Sequence, residues 1–163
     1  MNNSREKSWH VGHWPGLAWL ETIIKLIALM IGIIAAVRAL AVPELAFPKG
    51  ISLVQFVILV ILAVGLLAAI VDRIADREIV AMVFVVINNL GHWGMVLAIT
   101  AVSTPTTTLS LFAGLMLLGD LVKLWFIRTH QFTVRDYGQR VVIGLTAIYI
   151  TGYALILFLE IIV

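Results

Sequence analysis

Five long apolar runs constrain this chain more than anything else in it. They cover about residues 17–42, 51–71, 79–102, 107–127 and 141–163. A helix needs about 20 mostly apolar residues to cross a bilayer, and each run is long enough. Turn-forming or polar stretches separate them. Pro43, Pro48 and Gly50 follow the first run, DRIADRE the second, STPTTT the third and RTHQFTVRDYGQR the fourth. These loops are too short to hold a separate soluble domain. The expected fold is all-α: a polytopic bundle of five transmembrane helices over 17–163, preceded by an interfacial segment, 1–16.

Composition agrees. Hydrophobic residues make up 62% and charged residues 12% of the chain, against roughly 45–50% and about 25% in soluble domains. The chain contains no cysteine. Disulfides, thiolate metal sites, iron–sulfur clusters and thiol catalysis are therefore excluded. The basic residues are scattered along the chain, so no nucleic-acid module is present. No internal repeat is visible, and five spans do not divide into the equal halves of many transporters. Arg5 and Lys7 precede the first run, and Ala39-Leu40-Ala41 has the form of a signal-cleavage site. As a leader, however, the segment would be unusually long and would contain Glu21 and Lys25. The first run is expected to be a retained helix.

Lysine and arginine set the expected orientation. With alternating spans, Arg5, Lys7, Arg73, Arg77, Arg128, Arg135 and Arg140 fall on one side. Lys123 can extend its stem to the same side. The other side has Lys49, with Arg38 near the end of the first helix. A cytoplasmic N-terminus and an outside C-terminus follow, in a cell membrane or a bacterial inner membrane. Trp9, Trp14, Trp19 and Trp125 would anchor the cytoplasmic interface.

Polar side chains inside the runs can be placed by depth. At about 1.5 Å per residue from the cytoplasmic ends, Glu21 lies about 7 Å in and Lys25 about 13 Å. Asn88 and Asn89 come at about 15 Å, Asp120 at about 12 Å and Tyr149 at about 13 Å. His92 and Tyr153 share the next layer, at about 20 Å. On a helical wheel Asn88, Asn89, His92, Trp93 and Thr100 occupy an arc of about 140°, a face expected to point into the bundle. Buried charges need partners. Glu21 and Lys25 are spaced i,i+4, Asp120 and Lys123 i,i+3, and Lys25 and Asp120 match in depth. Two acids and two bases make a neutral cluster, which favours structural pairing over an ion site. Small residues at spacing four, Gly32 and Ala36, Gly65 and Ala69, Ala147 and Thr151, allow close helix approach. Gly91 and Gly94, which flank His92, leave room for a flat ligand or a partner helix.

Chemical motifs are sparse. His10 and His13, with His130 on the same side, are weak candidates for a metal site, with no spacing that enforces one. His92 is the one deep histidine, so a haem would need a second ligand from another subunit. Asp72, Asp76, Glu78 and Asp136 are interleaved with arginines and read as solvated loop charges. Arg135, Asp136 and Arg140 carry no recognisable phosphate or lipid motif. The expected function is that of a small non-catalytic membrane component, a subunit or scaffold of a complex or a homo-oligomer, whose polar layer joins its helices. Its partners would be the lipid bilayer and other membrane helices. One alternative is a channel or transporter lined by Asn88, Asn89, His92, Asp120 and Tyr149. A second is a haem or lipophilic-ligand binder around His92, Gly91, Gly94 and Trp93.

Overall fold

The computed structural model describes residues 15–41, 45–75, 79–101, 106–130 and 139–162. The apolar runs form five α-helices: α1 (Gly16–Ala41), α2 (Ile51–Ala75), α3 (Ile79–Thr100), α4 (Thr106–His130) and α5 (Gln139–Ile161). All five are long and apolar enough to cross a membrane. Three extend into polar residues beyond the apolar runs: α2 continues through Asp72-Arg73-Ile74-Ala75, α4 continues to His130, and α5 begins at Gln139-Arg140. Backbone hydrogen bonding propagates cheaply once a helix exists, so polar residues extend it into the loop. Gly50 starts α2 with a φ of 57°, a conformation that glycine adopts without a steric penalty. The expected interfacial segment 1–16, with Trp9, His10, His13 and Trp14, lies outside the described residues up to position 14.

The helices close into a ring in the order α1, α3, α2, α5, α4 and back to α1. The α2–α5 side is the most lightly packed. Contacts at the helix ends set the directions. Ala46 N donates to Thr100 O at 2.8 Å, and Leu45 bridges Ala101. The C-terminal ends of α1 and α3 therefore lie together and the two helices run parallel. The other ring neighbours are antiparallel. One end of the bundle, here the leading end, holds the start of α1; the trailing end holds the end of α5.

The core fills the ring. Leu59, Met95, Phe112, Met116, Tyr153 and Ile156 are fully enclosed, with alanines of α1, α3 and α4 between them. A smaller cluster of Ala18, Phe126 and Ile127 sits at the leading end. The outside is the reverse of a soluble protein: Leu40, Ile61, Leu111, Ile148 and Phe158 are all exposed. Contiguous apolar surface of this kind is costly in water and fits hydrocarbon.

The tightest approach is between α1 and α3, where Gly32 faces Gly91 and Gly94. A Cβ on Gly94 would stand 2.6 Å from the Gly32 carbonyl oxygen and 3.4 Å from Ala36 Cβ. A Cβ on Gly91 would meet the backbone of Leu29 at 3.0 Å. The room beside His92 is thus taken by a helix of the same chain.

Candidate functional site

The polar residues inside the ring form two connected groups. Toward the leading end, Lys25 Nζ lies 2.7 Å from Glu21 Oε1 on its own helix and 2.6 Å from Asp120 Oδ1 on α4. The three side chains are 13%, 15% and 6% exposed, so the ammonium sits between two carboxylates with little access from outside. Gly119 makes this reach possible. A Cβ there would stand 2.8 Å from Lys25 Cγ, so the lysine stem crosses α4 where α4 has no side chain. Lys123 is half-buried on α4, three residues beyond Asp120.

The second group is centred on His92, which is fully buried. Its Nδ1 is 2.8 Å from the Asn88 carbonyl oxygen, and its Nε2 is 2.5 Å from the Tyr153 hydroxyl. A carbonyl oxygen can only accept, so Nδ1 carries the proton. Nε2 then accepts from the phenol, which fixes one neutral tautomer. The ring of Phe112 closes on the imidazole edge-on, with centroids 5.2 Å apart. Through Tyr153, His92 links α3 to α5 across the centre of the ring. Neither ring nitrogen is left free to ligate iron in this arrangement.

The remaining layer residues fasten α2. Asn89 Nδ2 donates to the Ala63 carbonyl at 2.7 Å, and Tyr149 Oη donates to the Leu62 carbonyl at 3.0 Å. Both carbonyls belong to a helix, so each uses a second lone pair. Asn88 Oδ1 is buried and accepts no hydrogen bond from the described protein atoms. Trp93 departs from expectation. It is 36% exposed on the outer surface, not part of the inward face. One residue along a helix turns the side chain by about 100°, which separates it from His92.

Of the expected site residues, the structure brings Glu21, Lys25 and Asp120 into one cluster and His92 and Tyr153 into direct contact. Tyr149 lies beside this pair, its ring centroid 6.3 Å from that of Tyr153. His130 ends α4, and no group of three metal-binding side chains occurs among the described residues. Arg135 and Asp136 lie outside the described residues.

Sequence reasoning missed a polar group at the trailing end. Gln55 is buried on α2 and donates through Nε2 to the Ile156 carbonyl at 3.2 Å. Ser110 on α4 donates to Glu160 Oε2 on α5, while Glu160 Oε1 is buried with no partner among the described atoms. The signal was there: Gln55 and Glu160 are lone polar residues in LVQFVIL and LILFLEIIV. Searches against known protein families, curated proteins and solved structures find no match to this chain.

Proposed function

We propose that this protein is a non-catalytic, multi-pass membrane component that works as a subunit of a larger assembly or as a homo-oligomer. In this reading its buried polar layer braces its own helices. The observation that carries it is that most of that layer, Asn88 Oδ1 excepted, is engaged within the chain. Lys25, Glu21 and Asp120 join α1 to α4; His92 and Tyr153 join α3 to α5; Asn89 and Tyr149 tie α3 and α5 to α2. Hydrogen bonds of this type hold membrane helices together, because hydrocarbon offers no competing partner.

The outer surface supports association with other helices. Gly144, Ala147 and Thr151 form an exposed small-residue stripe on α5. Ala147 and Thr151 line an apolar groove of about 360 Å³ with Ile58, Ile61 and Leu62 of α2. Small residues of this spacing admit a second helix closely. The expected orientation keeps the N-terminus cytoplasmic, on the side of Arg73, Arg77, Arg128 and Arg140.

Gentle detergent extraction followed by native mass spectrometry tests the assembly. A defined oligomer or a bound partner subunit is expected, and Ala147→Phe should dissociate it. A monodisperse monomer carrying nothing would remove the proposal. Labelling of single cysteines, introduced into this cysteine-free chain at Lys49 and Arg128, reports which side each loop faces. Only the Arg128 site should react from the cytoplasm.

A further inference from the structure

We propose that the interior of the ring carries protons between the two ends of the bundle, with His92 and Tyr153 as the central relay. This goes beyond the bracing role and does not depend on the oligomeric state. The inward face of α5 is the backbone of the path. Thr146, Tyr149, Tyr153, Ile156 and Glu160 recur at spacings of three and four, and all but Ile156 carry a hydroxyl or a carboxyl. Such a stripe is ordinarily aliphatic in a core-facing helix. The other elements add groups to the same column. Asp120 comes from α4, Glu21 and Lys25 from α1, His92 from α3, and Gln55 with the Leu62 and Ala63 carbonyls from α2.

His92 is wired for transfer. Its Nδ1 donates toward the leading side, to Asn88, and its Nε2 accepts from Tyr153. Tyr153 can pass its phenolic proton to Nε2 while its oxygen takes another from the trailing side. The imidazolium then releases its Nδ1 proton to a water admitted beside Asn88 Oδ1, because the Asn88 backbone carbonyl orients that proton in a hydrogen bond but is too weak a base to take it. One proton enters, one leaves, and the ring is left as its other tautomer, which a flip of the ring resets. Two buried side-chain acceptors without a donor among the described protein atoms, Asn88 Oδ1 and Glu160 Oε1, lie on opposite sides of this pair. Each is placed to receive a proton-bearing donor such as water, as buried unsatisfied acceptors usually do.

The packing selects protons over other cations. Phe112, Met95, Met116 and Ile156 occupy the centre with almost no exposure, so no hydrated ion fits. Protons need only a hydrogen-bonded chain with brief wetting. From Tyr153 to Glu160 the path must pass the Phe112–Ile156 belt, about 10 Å of helix rise. That dry belt is the slow step and the gate.

The test uses the full chain in phosphatidylcholine vesicles loaded with pyranine, with a potential imposed by a potassium gradient and valinomycin. Acidification faster than in protein-free vesicles is expected, with no accompanying sodium flux. Tyr153→Phe, which keeps the ring and removes only the hydroxyl, should slow it roughly a hundredfold or more, in the range a positioned acid–base group contributes. Glu160→Gln, at the far end of the bundle, should do the same and serves if Tyr153→Phe does not fold. Ile156→Ala should speed it. Wild-type flux equal to that of protein-free vesicles, or unchanged in a folded variant of either residue, overturns the proposal. Sodium passing with the protons also overturns it.

Discussion

Lys25 shows how much a single side chain holds in this bundle. Its ammonium bridges two carboxylates that are otherwise nearly enclosed. Lys25→Met takes the shared cation from both and should destabilise the fold by about 3–5 kcal/mol, as when one partner of a buried pair is removed. Adding Asp120→Leu and Glu21→Gln to the same chain should recover most of that loss. Unfolding in mixed micelles with increasing SDS measures both, and no recovery in the triple variant would argue against an electrostatic cause. Asn89→Leu should cost less, about 0.6–2 kcal/mol, the usual range for one interhelical hydrogen bond. Depth alone made the Lys25–Asp120 pair legible, because the rise per residue is fixed and both residues count to the same layer. It did not give the His92–Tyr153 bond its donor and acceptor, which depend on the Asn88 carbonyl. A wide arc on the wheel also put Trp93 with His92, although the inward direction of one turns the other outward. Glu160 escaped notice because a charge three residues from the end of the sequence reads as a terminal one.

Between elements, glycine position separates helices that touch backbone to backbone from helices that touch through side chains. Gly32 and Gly94 sit at the α1–α3 contact; a Cβ on Gly32 would enter the carbonyl group of Gly91, and a Cβ on Gly94 that of Gly32. Backbone cannot yield there without moving a whole helix. Gly32→Val or Gly94→Val should therefore lower the melting temperature in detergent sharply and weaken the His92–Tyr153 link that α1 backs. Gly114→Ala is the control. Nothing stands within 4 Å of the Cβ it would add, and alanine favours a helix over glycine. It should leave stability unchanged or slightly higher. Equal losses at Gly94 and Gly114 would show that α1 and α3 are not packed at their glycines. The sequence spacing identified Gly32 with Ala36 as a contact surface but not its partner. Small-residue spacings recur on α1, α2 and α5, and the pattern carries no address.

For the whole molecule, the number of helices was readable and their neighbours were not. Length and apolarity mark each span locally, and the loop lengths force alternating directions. Neighbour choice depends on which faces match, and lipid is as apolar as leucine, so the outer faces carry no polar stripe that would orient them. Short loops suggest that α1 lies beside α2, yet α1 packs between α3 and α4. The ring order can be tested directly because the chain has no cysteine of its own. Leu45 and Ala101 are bridged, so cysteines at both should oxidise to an intramolecular disulfide that ties the end of α1 to the end of α3. Cysteines replacing Ser110 and Glu160 should join α4 to α5, since those side chains touch. A pair at Leu45 and Leu155 serves as the negative control: the two residues lie on the α1–α2 connection and on α5, which the ring keeps apart. Gel mobility after mild oxidation reads all three. Crosslinking of the first two pairs without the third supports the order α1, α3, α2, α5, α4. Failure of the Leu45–Ala101 pair in a folded protein would mean that α1 does not run parallel beside α3, and the room next to His92 would then be open to something other than α1.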